Sequence, residues 1–209
     1  MIRQLIERTA LKKISAFRDL DGWLTDKEAL GLYLTARKLP RNATVVEIGS
    51  WQGKSTYVLS KGIRSGKVYA IDPFNADAGA DEGSREIYLS KKGDDNLLEQ
   101  FKKNMGSLGV LKDIVIKQGY SYQFHNEFEK IDLLFIDGDH SIEGCKRDFE
   151  LYAGKVVRGG FIAFHDFYET RDELGPTWVI KHMVMRNENF RFYGKYDTLW
   201  VARKVRQGD

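Results

Sequence analysis

The sequence predicts a doubly wound α/β domain: a mostly parallel sheet with helices on both faces, a helical cap ahead of it and an antiparallel hairpin after it. Three observations carry that reading. Five short apolar runs between residues 44 and 164 alternate with helix-like segments. The runs are mostly apolar, the pattern of strands buried on both faces of a parallel sheet. Acids stand at or just past the ends of four of them, the edge at which such sheets hold ligands.

The elements follow in order. At 209 residues the chain suits one domain (1–209), with a cap at 1–40 and a core at 41–209. In the first segment Arg3, Arg8, Lys12, Lys13 and Arg18 accompany Ile2, Leu5, Ile6 and Ile14, an amphipathic helix that packs or faces a partner. "TDKE", Thr25 to Glu28, is a capping box opening a helix with Leu30, Tyr33 and Leu34 on one face. Arg37 and Lys38 suit its negative end and Pro40 helps to stop it. Strands are expected at Thr44–Ile48, Lys67–Ile71, Ile114–Lys117, Leu133–Asp137 and Gly160–Phe164, with helices near Lys54–Arg64, Asp94–Met105 and Ile142–Tyr152. Cys145 shares helical spacing with Ile142, Phe149 and Tyr152 and reads as core. The tail "FRFYGKYDTLWVARK" reads as a hairpin joined through Gly194. The long irregular segment Asn75 to Asp95 is either a binding loop or a plain insertion.

Composition excludes several classes. A net charge of +3 is too small to argue for nucleic acid. No apolar run approaches the roughly 18 residues of a membrane span, and the charged N-terminus does not resemble a signal peptide. A lone Cys145 suits a reducing compartment, so a cytoplasmic protein is expected, with a homo-oligomer open.

The chemistry is concentrated in "VVEIGSWQGKST", Val45 to Thr56. Gly53-Lys54-Ser55 ends like a phosphate-binding P-loop, but only Ser50, Trp51 and Gln52 separate Gly49 from Gly53. The P-loop needs one residue more to wrap a phosphate. Glu47, directly before the loop, is also a poor neighbour for a pyrophosphate and a good one for a cation. Glu47, Asp72, Asp137 and Asp166 would converge on one sheet edge and repel one another unless a ligand or cation sat there. S-adenosylmethionine meets these requirements, having an ammonium and a sulfonium for acids, a carboxylate for the loop and a ribose for Asp72.

Glu47/Gly49/Gly53 followed by Asp72 resembles the Rossmann-like class I S-adenosylmethionine-dependent methyltransferases. The fuller string "EIGSWQGKS" is similar to the loop of the small metal-dependent O-methyltransferases of the catechol, caffeoyl-CoA and macrolide-sugar type. The resemblance runs from about Thr25 to Phe167. It implies that Glu47, Gly49, Ser50 and Gly53 surround the methionine portion, that Ser55 binds its carboxylate and that Trp51 lines its pocket. It also implies that Asp72 takes the ribose, that Gly119 and Ser121 border the adenine, and that Asp137 borders both cofactor and metal. "FIDGDHS" and "GGFIAFHDF" match the metal-site motifs, with Asp137, His165 and Asp166 in the ligand positions. Relatives carry an acid where His165 stands, which leaves the divalent cation open among Mg²⁺, Mn²⁺ and Fe²⁺. His140 matches the base that deprotonates the acceptor hydroxyl. Asp139 either orients it or faces water, and His125 and His182 fall outside every motif.

The function expected from this resemblance is methyl transfer from S-adenosylmethionine to a hydroxyl of a small molecule, possible metal assistance included. Two alternatives stand beside it: a metal-dependent hydroxylase-like relative, and a non-catalytic protein that binds the cofactor.

Overall fold

The computed structural model describes residues 2–76, 86, 89–92 and 96–206. Most of the long segment 75–95 lies outside the described residues, as does the helix start expected at Asp94. The cap holds α1 (Ile2–Ile14), a 3-10 turn (Ser15–Asp19) and α2 (Asp26–Ala36). The core runs β1 (Ala43–Ile48), α3 (Lys54–Gly62), β2 (Gly66–Asp72), α4 (Leu97–Ser107), β3 (Ile114–Gln118), β4 (Ile131–Ile136), α5 (Ile142–Tyr152) and β5 (Val156–Phe164). It ends with α6 (Gly175–Val179), a π-helical turn (Ile180–Val184), β6 (Phe190–Tyr196) and β7 (Leu199–Lys204).

The strands form one seven-stranded sheet in the order β3-β2-β1-β4-β5-β7-β6. Pairings from β3 across to β5 are parallel, while β7 runs antiparallel between β5 and β6. Chain order reverses between β1 and β4, which opens a crevice at their carboxyl ends. Because successive strand side chains point to opposite faces, Val45 enters the core under α2, α3 and α4 while Val46 enters the one under α5 and α6. Cys145 is fully buried in the second of these cores.

Local chemistry sets the element ends. Thr25 Oγ1 accepts the Glu28 N–H at 3.2 Å and Glu28 Oε2 accepts the Thr25 N–H at 2.8 Å, so the expected capping box is present. Asn96 and Ser141 cap α4 and α5 in the same way, each accepting an N–H of the first turn. In α1 the apolar stripe packs only near its end: Ala10 and Ile14 are buried, whereas Leu5 and Ile6 are exposed.

One feature differs from the sequence reading. The hairpin does not turn at Gly194, which lies inside β6 at a register shift opposite β7. The turn is at Asp197-Thr198, with Asp197 left-handed at φ 52°, a conformation Asp tolerates better than most residues. A short helix follows the loop after Phe167. Pro176 opens α6, where its missing N–H costs nothing, and Val179, Ile180 and Val184 fill the core against α5. Among the described residues no helix is long and apolar enough to cross a membrane.

Candidate functional site

One cavity of about 840 Å³ opens along the carboxyl ends of the parallel strands, a size usual for small-molecule sites. Its wall includes Gly49, Ser50, Trp51, Ser55, Asp72, Gly119, Ser121 and Asp137, and also His140, His165 and Asp166. Glu47 and Gly53 are not on that wall.

The glycine loop is built by close approach. Gly49 has φ +88°, and a Cβ there would stand 2.0 Å from the carbonyl oxygen of Asp137, so the ends of β1 and β4 touch only because no side chain intervenes. Gly53, at φ +94°, caps α3 and leaves room for Met105, which a Cβ would meet at 2.5 Å. Glu47 braces the loop from below. It is wholly buried, and its Oε2 accepts the hydroxyls of Ser50, at 2.9 Å, and of Thr56. Its Oε1 is buried without a hydrogen-bond partner. Burial raises the carboxyl to about 7, against the opposing hydroxyls of Ser55, Thr56 and Ser50.

Asp72 has a larger structural share than the sequence suggested. Its Oδ2 accepts the backbone N–H groups of Ser50 at 2.8 Å and Trp51 at 2.9 Å, and its Oδ1 accepts that of Phe74 at 2.6 Å. It therefore holds the glycine loop against the end of β2. Burial pushes its carboxyl upward, while those three N–H groups pull it down. The P-loop-like lysine is used in another way too. Lys54 Nζ donates to the carbonyls of Leu20 at 3.0 Å and Gly22 at 3.1 Å, which ties the cap to the loop. On that tie rests an aromatic pair, Trp23 against Trp51, with centroids 5.8 Å apart.

At the other end of the cavity two histidines meet three acids. His165 Nδ1 lies 3.1 Å from Asp166 Oδ2 and 3.3 Å from Asp137 Oδ1, and its Nε2 lies 3.4 Å from Glu28 Oε2. Burial alone would lower its pKa, but Asp137, Asp166 and Glu28 outweigh burial and raise it well above the ordinary histidine value. The three acids thus favour the protonated form of His165, the form that offsets some of their charge. His140 Nε2 stands 3.3 Å from Asp166 Oδ2 and 3.9 Å from Asp137 Oδ1. Its pKa is likewise raised, as Asp137 and Asp166 overcome the lowering effect of burial.

Among the described residues Asp137, His140 and Asp166 offer ligand atoms within 4.8 Å of one another. The histidine in this trio is His140, while His165, expected from the sequence as a ligand, sits beneath it, between the cap and the acids. Asp166 itself is left-handed at φ 57°, the kind of stored strain that concentrates at working sites. Asp139 does not orient His140; its Oδ1 accepts the Ser141 N–H at 2.9 Å. His125 and His182 pack on Tyr152 and Trp178. Sequence reasoning missed Glu28 as a site residue, because its capping-box role explained it fully. It also missed Asp148, a buried acid on α5 whose place beside the cavity appears only in the fold.

Residues 46–167 match the family described as a methyltransferase domain. The chain belongs to that family. This methyltransferase-family chain shares its architecture with an O-methyltransferase from Bacillus cereus in complex with SAH (TM-score 0.62, 16% identity, covering 95% of this chain and 90% of that one). It is also similar to TomG, an O-methyltransferase of Streptomyces achromogenes involved in tomaymycin synthesis and in complex with SAM (TM-score 0.65, 16% identity, 94% and 89% covered). A methyltransferase from Geobacter sulfurreducens matches over 96% of this chain and 88% of its own, with a TM-score of 0.62 and 17% identity. In sequence, uncharacterized protein R132 of Acanthamoeba polyphaga mimivirus is 27% identical over 129 residues, 61% of this chain and 53% of that protein. The chain spans about half the length of this curated relative.

Proposed function

We propose that this methyltransferase moves a methyl group from S-adenosylmethionine to a hydroxyl of a small molecule. The observation that carries the reading is that one cavity has the glycine loop at one end and the His140/Asp137/Asp166 cluster at the other. Donor and proton acceptor would then share one cavity. The SAM- and SAH-bound O-methyltransferases with this architecture support the same donor.

The donor brings an activated methyl on sulfur. Ser55 and the loop N–H groups suit its carboxylate, and the free lone pair of Asp72 Oδ1 suits a ribose hydroxyl. His140 would take the acceptor's proton as the C–O bond forms and the methyl–sulfur bond breaks to leave S-adenosylhomocysteine, while Asp137 and Asp166 hold the imidazolium that results. Because Asp137 and Asp166 raise the His140 pKa, it serves as a base only after losing its own proton, so transfer is favoured as pH rises. The walls orient the acceptor in line with the methyl group, and that orientation is the larger share of the rate gain.

A second reading is favoured by the trio of ligand atoms: Asp137, His140 and Asp166 fit a divalent cation such as Mg²⁺ or Mn²⁺, two carboxylates and an imidazole being a suitable donor set. Bound there, such an ion would lower the pKa of an acceptor hydroxyl, and His140 would be a ligand instead of the base. Calorimetry with S-adenosylmethionine and S-adenosylhomocysteine, with and without Mg²⁺, Mn²⁺ or Fe²⁺, tests both. No heat with either nucleoside would sink the methyl-transfer reading; cation heat that disappears in Asp166→Asn would favour the second.

A further inference from the structure

The loop after β3 and helix α5 meet behind the cavity in an arrangement that the proposed chemistry does not use. Asp148, on α5, is 2% exposed and Ser121 is 7% exposed, yet both contribute to the cavity wall. The Ser121 hydroxyl donates to Asp148 Oδ1. The Ser121 carbonyl accepts the Tyr152 hydroxyl at 2.6 Å, which fixes the backbone of this turn from the far side. Asp148 Oδ2 lies 3.8 Å from the point where a Cβ on Gly138 would stand, so the acid reaches the cavity over a glycine. Arg147, the neighbouring cation, is turned away onto the face of Tyr122, 5.1 Å from its centroid.

A hydroxyl has one proton and two lone pairs, and an ionised carboxylate has lone pairs only. Since Ser121 spends its proton on Asp148, both side chains present only acceptors to the cavity. An acceptor-only surface welcomes an amino group and rejects a carbonyl, because two facing acceptors leave buried lone pairs unpaired. Resting on the S-adenosylmethionine reading above, we propose that the Ser121–Asp148 pair reads the 6-amino group of the adenine and makes the site selective against 6-oxopurine nucleosides. Asp148 acts both by facing the base and by fixing which way the Ser121 proton points.

The test is calorimetry with S-adenosylhomocysteine, its 6-oxo counterpart S-inosylhomocysteine, and the 7-deaza analogue, which keeps the 6-amino group. Burial raises the Asp148 carboxyl to about 6, so the titrations are run at pH 8, where it is ionised. The wild type should prefer the adenine form over the inosine form on the order of 10²-fold, as expected of a site built to satisfy a buried polar group, and should bind the 7-deaza form like the parent. Asp148→Asn, whose amide can donate to Ser121 or to a carbonyl, should bind both forms within about fivefold. Ser121→Ala, which keeps the acid and removes the hydroxyl, should narrow the preference too and serves if the first variant does not fold. Thermal melting checks both variants. A folded Asp148→Asn that retains the wild-type preference overturns the inference, as does a wild type that binds both forms equally. A wild type that binds none of the three overturns the S-adenosylmethionine reading itself.

Discussion

Oε2 of Glu28, on the helical cap, lies 3.4 Å from Nε2 of His165, at the end of the last parallel strand. The other oxygen, Oε1, accepts the N–H of Thr198 at 2.9 Å and its hydroxyl at 2.6 Å. One buried carboxylate thus joins cap, core and hairpin. Burial would raise its pKa, but His165, Thr198 and Thr25 outweigh burial and bring it to about 2 from an ordinary 4.5. A depressed acid stabilises the fold above its unfolded pKa and loses that contribution as pH falls through its folded one. Glu28→Gln should therefore cost about 3 kcal/mol at pH 6, since it leaves a buried imidazolium without one of its partners. The gap to the wild type should shrink as pH drops from 4.5 toward 2. Melting curves across that range check it, and an unchanging gap would contradict the assignment.

Glu47 should behave in the opposite sense. Its folded pKa is raised to about 7 from 4.5. The native state then holds the proton more tightly than the unfolded chain, so stability falls as pH rises through that interval. Glu47→Gln keeps the acceptor for Ser50 and Thr56 and removes the charge. It should gain about 1–3 kcal/mol on the wild type at pH 8 and little at pH 5. Equal melting temperatures at pH 8 would mean that the buried acid is not strained.

His140→Ala should cut methyl transfer about 10²–10⁴-fold, with S-adenosylhomocysteine affinity almost unchanged. Part of the loss should return at high pH, where the acceptor hydroxyl ionises unaided. Turnover against pH, measured beside a melting curve, separates this from a packing histidine, which would lower the melting temperature and leave turnover per folded molecule intact.

Lys54→Met should loosen the cap without exposing a phosphate site. Two hydrogen bonds from Nζ to backbone carbonyls are lost, at a cost of about 1–3 kcal/mol. Acrylamide should quench tryptophan fluorescence more strongly in the variant, because Trp23 and Trp51 pack beside that tie. Neither the wild type nor the variant should bind ATP. Tight ATP binding abolished by the substitution would revive the P-loop reading.

Much of the site was legible because it is local. Glu47, Gly49, Gly53 and Asp72 lie at strand ends whose apolar runs are plain in the sequence, and a glycine at positive φ leaves a recognisable spacing. What stayed hidden depends on residues far apart in the chain. Glu28 and Thr198 are 170 positions apart, and Ser121 and Asp148 are 27 apart, so neither pairing has a periodic signature. Glu47 and Asp72 were legible as acids at the correct edge but not as loop supports, since sequence spacing does not say which backbone N–H groups a carboxylate will meet. The hairpin was misplaced for a different reason. Gly194 looked more like a turn than Asp197-Thr198, yet the glycine lies inside β6 beside a register shift and the aspartate takes the left-handed position.

The bond between Glu28 and Thr198 also sets an order of assembly. A ribosome releases the helical cap and the glycine loop well before the last hairpin, and until Thr198 emerges the Glu28 carboxylate lacks two of its donors. Contacts of such sequence separation close late and slow the search for the native state. During synthesis the nascent chain can hold its parallel strands in register while the cluster beside His165 is still open to water. The cluster beside His165 thus gains its full set of partners only once the hairpin has docked.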